Sequence, residues 1–126
     1  MKQTEIKVLM VEPLKAPTVV TLKTDLDSLQ KAVSIGADYQ GLIEIISLGD
    51  GTCILCNEEG KLIGLEGNRR IGHDIIAGVF YVVGENAEDE LISLTDQQIE
   101  FYHKRFFFPE YYSPEDVANH VFVTFT

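Results

Sequence analysis

No tryptophan occurs in this chain, and only two cysteines and four prolines do. Two cysteines cannot fill the four ligand positions of a structural zinc site, and no second Cys or His pair lies at suitable spacing. Cys53 and Cys56 form a CxxC within GTCILCNEEG, but a redox motif of the thioredoxin type begins at a helix N-terminus, where the dipole lowers the thiol pKa. Here the pair brackets Ile54 and Leu55 in an expected strand, whose two-residue period turns the thiols to opposite faces. A structural role follows, with no metal and no cofactor. No apolar run approaches the roughly 20 residues of a membrane span, and MKQTEIKVLM lacks the apolar core of a signal peptide. A cytoplasmic protein without membrane contact is the expectation.

Positive charge is equally scarce. Ten Lys and Arg face twenty Asp and Glu, for a net charge of −10. Between Ile71 and His103 there is no Lys or Arg at all, while Asp74, Glu85, Glu88, Asp89, Glu90, Asp96 and Glu100 fall in that span. Direct nucleic-acid binding is excluded as an expectation, because such binding draws its affinity from cations that release phosphate counterions. The acidic stretch is either a solvated face that keeps the protein soluble or a surface that imitates the spaced charges of DNA.

What is present reads as one domain, residues 1–126, large enough for a single core. Strands are expected at EIKVLMVE (5–12), PTVVTLK (17–23), GLIEIISL and TCILC, the last two joined by GDG as a hairpin. The run IIAGVFYVV (75–83) is apolar on both faces and suits a central strand, with Gly78 marking a bulge or a close backbone approach. Thr24 is the expected cap of a first helix, with Asp27 at its third position. Thr95 and Gln98 form a capping box, with Leu94 stapled against Ile99. Ser113, Pro114 and Asp116 open a last helix, and VFVTF is expected to end the chain as a strand. The order β-β-α-β-β-β-β-α-α-β describes an α+β fold: a mostly antiparallel sheet of about five to seven strands with two or three helices packed on one face.

The stretch CNEEGKLIGLEGNRRIGHDIIAGVFYVVG, followed by SLTDQQIEFYHKRF, resembles the domain-of-unknown-function family 3846, carried by bacteriophages, plasmids and conjugative elements. KVLMVEP and LDSLQKAV are similar to the same family, so residues 5–106 read as its core and 107–126 as an aromatic-rich C-terminal extension. SIGADYQGLIEII is longer than the family's usual glycine-rich link. The resemblance implies a context in the bacterial host cell, an accessory protein of a mobile element among genes that manage conflict with the host, and no particular reaction.

The leading candidate site is LEGNRRIGHDIIAG, which holds two of the chain's three arginines side by side. Arg69 and Arg70 offer planar forks that match phosphate or carboxylate, and Asn68 supplies a donor and an acceptor. Gly64, Gly67 and Gly72 let the backbone approach a ligand closely. With His73 and Asp74 they are read as a site for a small anionic, nucleotide-like ligand, both arginines being replaceable without loss of fold. The competing reading is an ion-paired loop, with an arginine bound to Glu58, Glu59 or Asp74. The spacing is neither a Walker loop nor a dinucleotide fingerprint. Three dispersed histidines make no metal signature, and no nucleophile stands beside His73 and Asp74, so no catalytic residue is assigned.

RFFFPEYY packs five aromatics into eight residues. Phe106 continues a helix face, whereas Phe107, Phe108, Tyr111 and Tyr112 are more rings than one face buries. They mark either an interface of a homo-oligomer or a lid over the domain's own core. The expected function is therefore a non-enzymatic counter-defence protein that sequesters a nucleotide-type signal. The alternatives are an acidic DNA mimic that inhibits a host nuclease or restriction component, that is, a host defence protein as partner, and a nucleotide-cleaving enzyme.

Overall fold

The computed structural model describes residues 4–123. In chain order its elements are β1 (Glu5–Val11), β2 (Thr18–Lys23), α1 (Leu26–Ala32), β3 (Ile43–Ser47), β4 (Thr52–Asn57), β5 (Gly67–Ile71), β6 (Asp74–Ala77), β7 (Phe80–Glu85), β8 (Leu91–Ile92), α2 (Asp96–Arg105) and α3 (Pro114–Val123). Six strands form one antiparallel sheet in the order β2-β1-β7-β4-β3, with β8 added to β7, and β5-β6 form a separate hairpin. The α+β class with a mostly antiparallel sheet is as expected from the sequence.

Alternation along the central strands explains why the sheet is sandwiched. Leu9, Val11, Ile54, Phe80 and Val82 share one cluster with Tyr102 of α2 and Phe106 just after it. Ile6, Val8, Leu55, Tyr81 and Val83 share the other with Leu29 of α1 and Val33 just after it. Successive side chains of a strand point to opposite faces, so strands apolar at every position must be covered twice. The helices therefore lie on opposite faces, not on one face as the sequence suggested. Cys53 belongs to the α1 side and Cys56 to the α2 side, as the two-residue period requires. The Tyr81 hydroxyl donates to the Ala32 carbonyl at 2.9 Å, tying the middle of the sheet to the end of α1. Phe80 meets Phe106 edge to face at 5.3 Å on the other side.

The helix starts follow local chemistry. The Thr95 hydroxyl accepts from the Gln98 amide at 3.1 Å while the Gln98 side chain accepts from Thr95 N–H at 2.9 Å. Ser113 and Asp116 exchange the same kind of pair, both at 3.0 Å. Each satisfies amides that the helix itself cannot. The first helix starts one residue later than expected, because Asp25 rather than Thr24 accepts from Ser28 N–H at 3.0 Å.

Two further expectations change. IIAGVFYVV is not one strand: Gly78, with φ +85°, separates β6 from β7, and a Cβ there would stand 2.7 Å from Leu65 Cδ1. Only β7 is the central strand, lying between β1 and β4. Among the described residues the expected final strand is not found either. Val121–Val123 continue α3, since the cap at Ser113 starts a helix that VANHV has no breaker to stop, and residues 124–126 lie outside the described residues.

Candidate functional site

The β5-β6 hairpin carries the sequence that attracted attention. Its register runs Gly67↔Ala77, then Arg69↔Ile76, so Asn68 is the extra residue of a β-bulge. A bulge breaks the two-residue alternation and re-aims side chains. As a result Asn68 and Arg69, adjacent in sequence, are both fully buried, and Arg70 is exposed.

Asn68 donates from Nδ2 to the carbonyls of Val11 at 2.8 Å and Gly78 at 2.9 Å. Its Oδ1 accepts from Arg69 Nη1 at 2.7 Å. The rest of the Arg69 fork closes on backbone oxygens: Nε and Nη2 on Phe106 at 3.2 and 2.8 Å, and Nη2 also on Lys15 at 2.7 Å. Phe106 is the C-cap of α2. The carbonyls there carry the negative end of the helix dipole, which suits a buried cation. Burial lowers the Arg69 pKa, an effect opposed by the charge of Glu110 and by Tyr112; a guanidinium remains protonated all the same. The two side chains thus join the end of β1, the turn after it, the bend at Gly78 and the end of α2. Among the described residues no buried side-chain nitrogen or oxygen lacks a partner. The expectation that Arg69 could be removed without harming the fold is corrected by this arrangement, and so is its pairing with Glu58, Glu59 or Asp74. Buried donors need acceptors, and backbone carbonyls supply them.

The other predicted residues divide differently. Arg70 sits with its guanidinium 5.9 Å from the centre of the Tyr112 ring, and its backbone N–H donates to Glu110 at 2.9 Å. Gly72, with φ +61°, and exposed His73 make the hairpin tip. Asp74 is ion-paired with Lys61 and accepts from the Ile75 amide at 2.9 Å. His73 and Asp74 therefore make no acid–base pair. Gly67 is a close approach, but to the chain's own atoms: a Cβ would stand 2.8 Å from Val117 and 2.9 Å from Tyr112.

Beside that contact lies a cleft of about 240 Å³, lined by Lys61, Gly64, Leu65, Glu66, Gly67, Tyr112, Pro114 and Val117. Tyr112 is both its wall and the ring under Arg70. The Tyr112 hydroxyl donates to Glu110, and burial together with that carboxylate raises its pKa, so it stays neutral. Sequence reasoning left Tyr112 between an interface and a lid over the domain's own core, gave Leu65 no role within LEGNRRIGHDIIAG, and left Lys61 out. Nothing in the local pattern around KLIGL signals that the chain folds back over the hairpin. Of the interface candidates, Phe107, Phe108 and Tyr111 are exposed and Tyr112 is half-buried.

Other candidate chemistry is spent or silent. Burial pushes both thiols up to about 12, so Cys53 and Cys56 stay protonated and buried. Among the described residues no group of three or more His, Cys, Asp or Glu could hold a metal ion, and no helix is long and apolar enough to cross a membrane. The acidic stretch is partly neutralised, with Asp96 paired to Lys7 at 3.4 Å and Glu100 to Lys104 at 3.2 Å. Glu88 and Asp89 remain exposed on a turn that Asn86 organises by accepting from Glu88 and Glu90 amides at 3.0 and 2.9 Å.

These features define a class: a small α+β protein with a doubly covered antiparallel sheet and a hairpin locked into it by a buried Asn-Arg pair. The chain belongs to the family described as Domain of unknown function (DUF3846), whose model matches residues 6–107. No curated protein and no solved structure matches it.

Proposed function

We propose that this is a non-enzymatic binding protein of a mobile element that sequesters a small nucleotide-type anion, acting in the bacterial cytoplasm against a host defence signal. The observation that carries this reading is Arg70 held over Tyr112, the ring that walls the cleft containing Gly64 and Gly67. A neutral ring and an aliphatic wall from Leu65 suit a base or ribose, and an exposed guanidinium beside them suits phosphate. The cleft is below the roughly 300 Å³ at which whole small-molecule pockets begin. It therefore holds one moiety, with the phosphates lying outward over Arg70. Binding by occupancy needs no turnover, which accords with the protonated thiols and the spent Asp74.

The test is calorimetry and thermal-shift measurement with ADP-ribose, cyclic dinucleotides and mononucleotides on the wild type and on Arg70→Ala. A loss of affinity of about 10- to 100-fold in the variant, with an unchanged fold, is expected for one charge-assisted fork. Equal affinity in both proteins, or no binding of any of these nucleotides, overturns the reading, and multiple turnover would make the protein an enzyme. The exposed turn at Glu88 and Asp89 supports a second reading, an acidic inhibitor of a host nuclease. Neutralising those two residues should abolish nuclease inhibition on that reading and leave nucleotide binding intact on the first.

A further inference from the structure

The outer face of α2 carries an unusual stripe. Gln97, Glu100, Phe101, Lys104 and Arg105 are all exposed and line one shallow groove of about 580 Å³. Their spacing of three and four residues puts them on a single side of the helix, opposite buried Tyr102 and Phe106. Phe101 is 59% exposed, and just past the helix end Phe107 and Phe108 are 44% and 77% exposed with their rings packed edge to face. Arg105 rests 5.1 Å from the Phe106 ring centre. Among the described residues it has no carboxylate partner.

The order of charges along this stripe is self-complementary. The acid, Glu100, comes before the bases, Lys104 and Arg105. Two such helices laid antiparallel about a twofold axis between Tyr102 and His103 would oppose Glu100 with the second copy's Arg105 at both ends. Phe101 would oppose the aliphatic stem of the second copy's Lys104. The Phe107–Phe108 pair of each copy would then reach the first turn of the other helix, near Gln97. A parallel pairing would instead stack bases on bases and acids on acids. Antiparallel packing also opposes the two helix dipoles favourably, and an isologous contact of this kind closes on itself as a dimer.

We infer that the outer face of α2, with Phe107 and Phe108, is a homodimer interface in which α2 packs antiparallel against α2 of a second copy. The aromatic side chains supply the buried area and Glu100–Arg105 the register. This contact is independent of the Arg70 cleft and stands or falls separately from nucleotide binding.

Charge exchange tests it. In Glu100→Lys each homodimer would oppose Lys with Arg twice, and in Arg105→Glu it would oppose Glu with Glu twice. Mixed in equal amounts, the two variants restore both attractive pairs in the heterodimer. Sedimentation velocity and native mass spectrometry should show a wild-type dimer and dissociation constants raised about tenfold or more in either variant alone. The mixture should recover as a heterodimer. Phe101→Ser, at a position exposed in the single chain, should also dissociate the dimer while circular dichroism and Tm stay unchanged. A wild-type chain that remains monomeric up to its solubility limit overturns the inference. So does a dimer that survives all three substitutions, or a failure of the two folded charge variants to pair.

Discussion

The base and the tip of the β5-β6 hairpin are adjacent in sequence and opposite in physical character. At the base, Asn68 and Arg69 are fully buried and every buried side-chain nitrogen and oxygen meets a partner. At the tip, Arg70, Gly72 and His73 face solvent. The same residue type, arginine, is a structural clamp at one position and a candidate ligand contact at the next. What separates them is the two-residue alternation of the strand, whose phase the bulge at Asn68 sets so that Arg69 turns inward and Arg70 outward, not any difference in their intrinsic chemistry. An arginine pair in a glycine-punctuated segment is thus two separate questions.

That contrast can be broken first at its buried end. Arg69→Ala should destabilise the protein by about 3–5 kcal/mol, since it strands the acceptors on Phe106, Lys15 and Asn68 in the interior. Urea unfolding monitored by circular dichroism measures this, and a loss below about 1 kcal/mol, the usual scale of a surface pair, would show that Arg69 is not the clamp described. Arg69→Lys should recover only part of the loss, because an ammonium cannot span the same three acceptors with a planar fork.

A smaller effect is expected at the far end of α2, where Tyr102 reaches the β3–β4 turn. Its hydroxyl donates to Asp50 and accepts from Thr52 at 3.1 Å. Tyr102→Phe should cost about 1 kcal/mol. Asp50 also gives the turn a pH dependence. Burial pushes its pKa up, but donation from Thr52 and Tyr102 outweighs that and holds it below the ordinary 3.8. A carboxyl lowered by folding stabilises the folded state fully above its unfolded value, and loses that contribution as pH falls through the folded one. Stability measured from pH 6 down to about pH 3 should therefore fall less steeply in Tyr102→Phe than in the wild type. Equal slopes would mean that the hydroxyl does not hold Asp50 ionised.

The smallest change in stability belongs to the tip. Arg70→Ala should alter it by no more than about 0.5–1 kcal/mol, the worth of an exposed cation over a ring. Its effect on nucleotide affinity should be much larger. If Arg70→Ala proved as destabilising as Arg69→Ala, the division of the hairpin into clamp and contact would fail.

How far the sequence reached follows the range of each interaction. The capping box at Thr95 and Gln98, the reciprocal pair at Ser113 and Asp116, and the GDG hairpin were all legible, because each is settled within a few residues. The opposite placement of Cys53 and Cys56 was legible for the same reason. The segments misread were those whose state depends on distant partners. VFVTF is rich in β-formers, yet Val121–Val123 continue a helix whose Val117 packs on Ile75 and Ala77. IIAGVFYVV is uniformly apolar, yet Gly78 divides it between two sheets. Local propensity cannot report either outcome.

The sequence alone determined the α+β class, the family, the starts of the second and third helices and the central position of FYVV, since these rest on periodicity, capping and composition. Tertiary structure alone decided that the two helices cover opposite faces of the sheet and that Asn68 and Arg69 turn inward. It also brought Tyr112 from the C-terminal extension under Arg70. The physical reason is common to all three. Which polar groups are buried, and what satisfies them, depends on carbonyls and rings that residues far apart in the chain bring together.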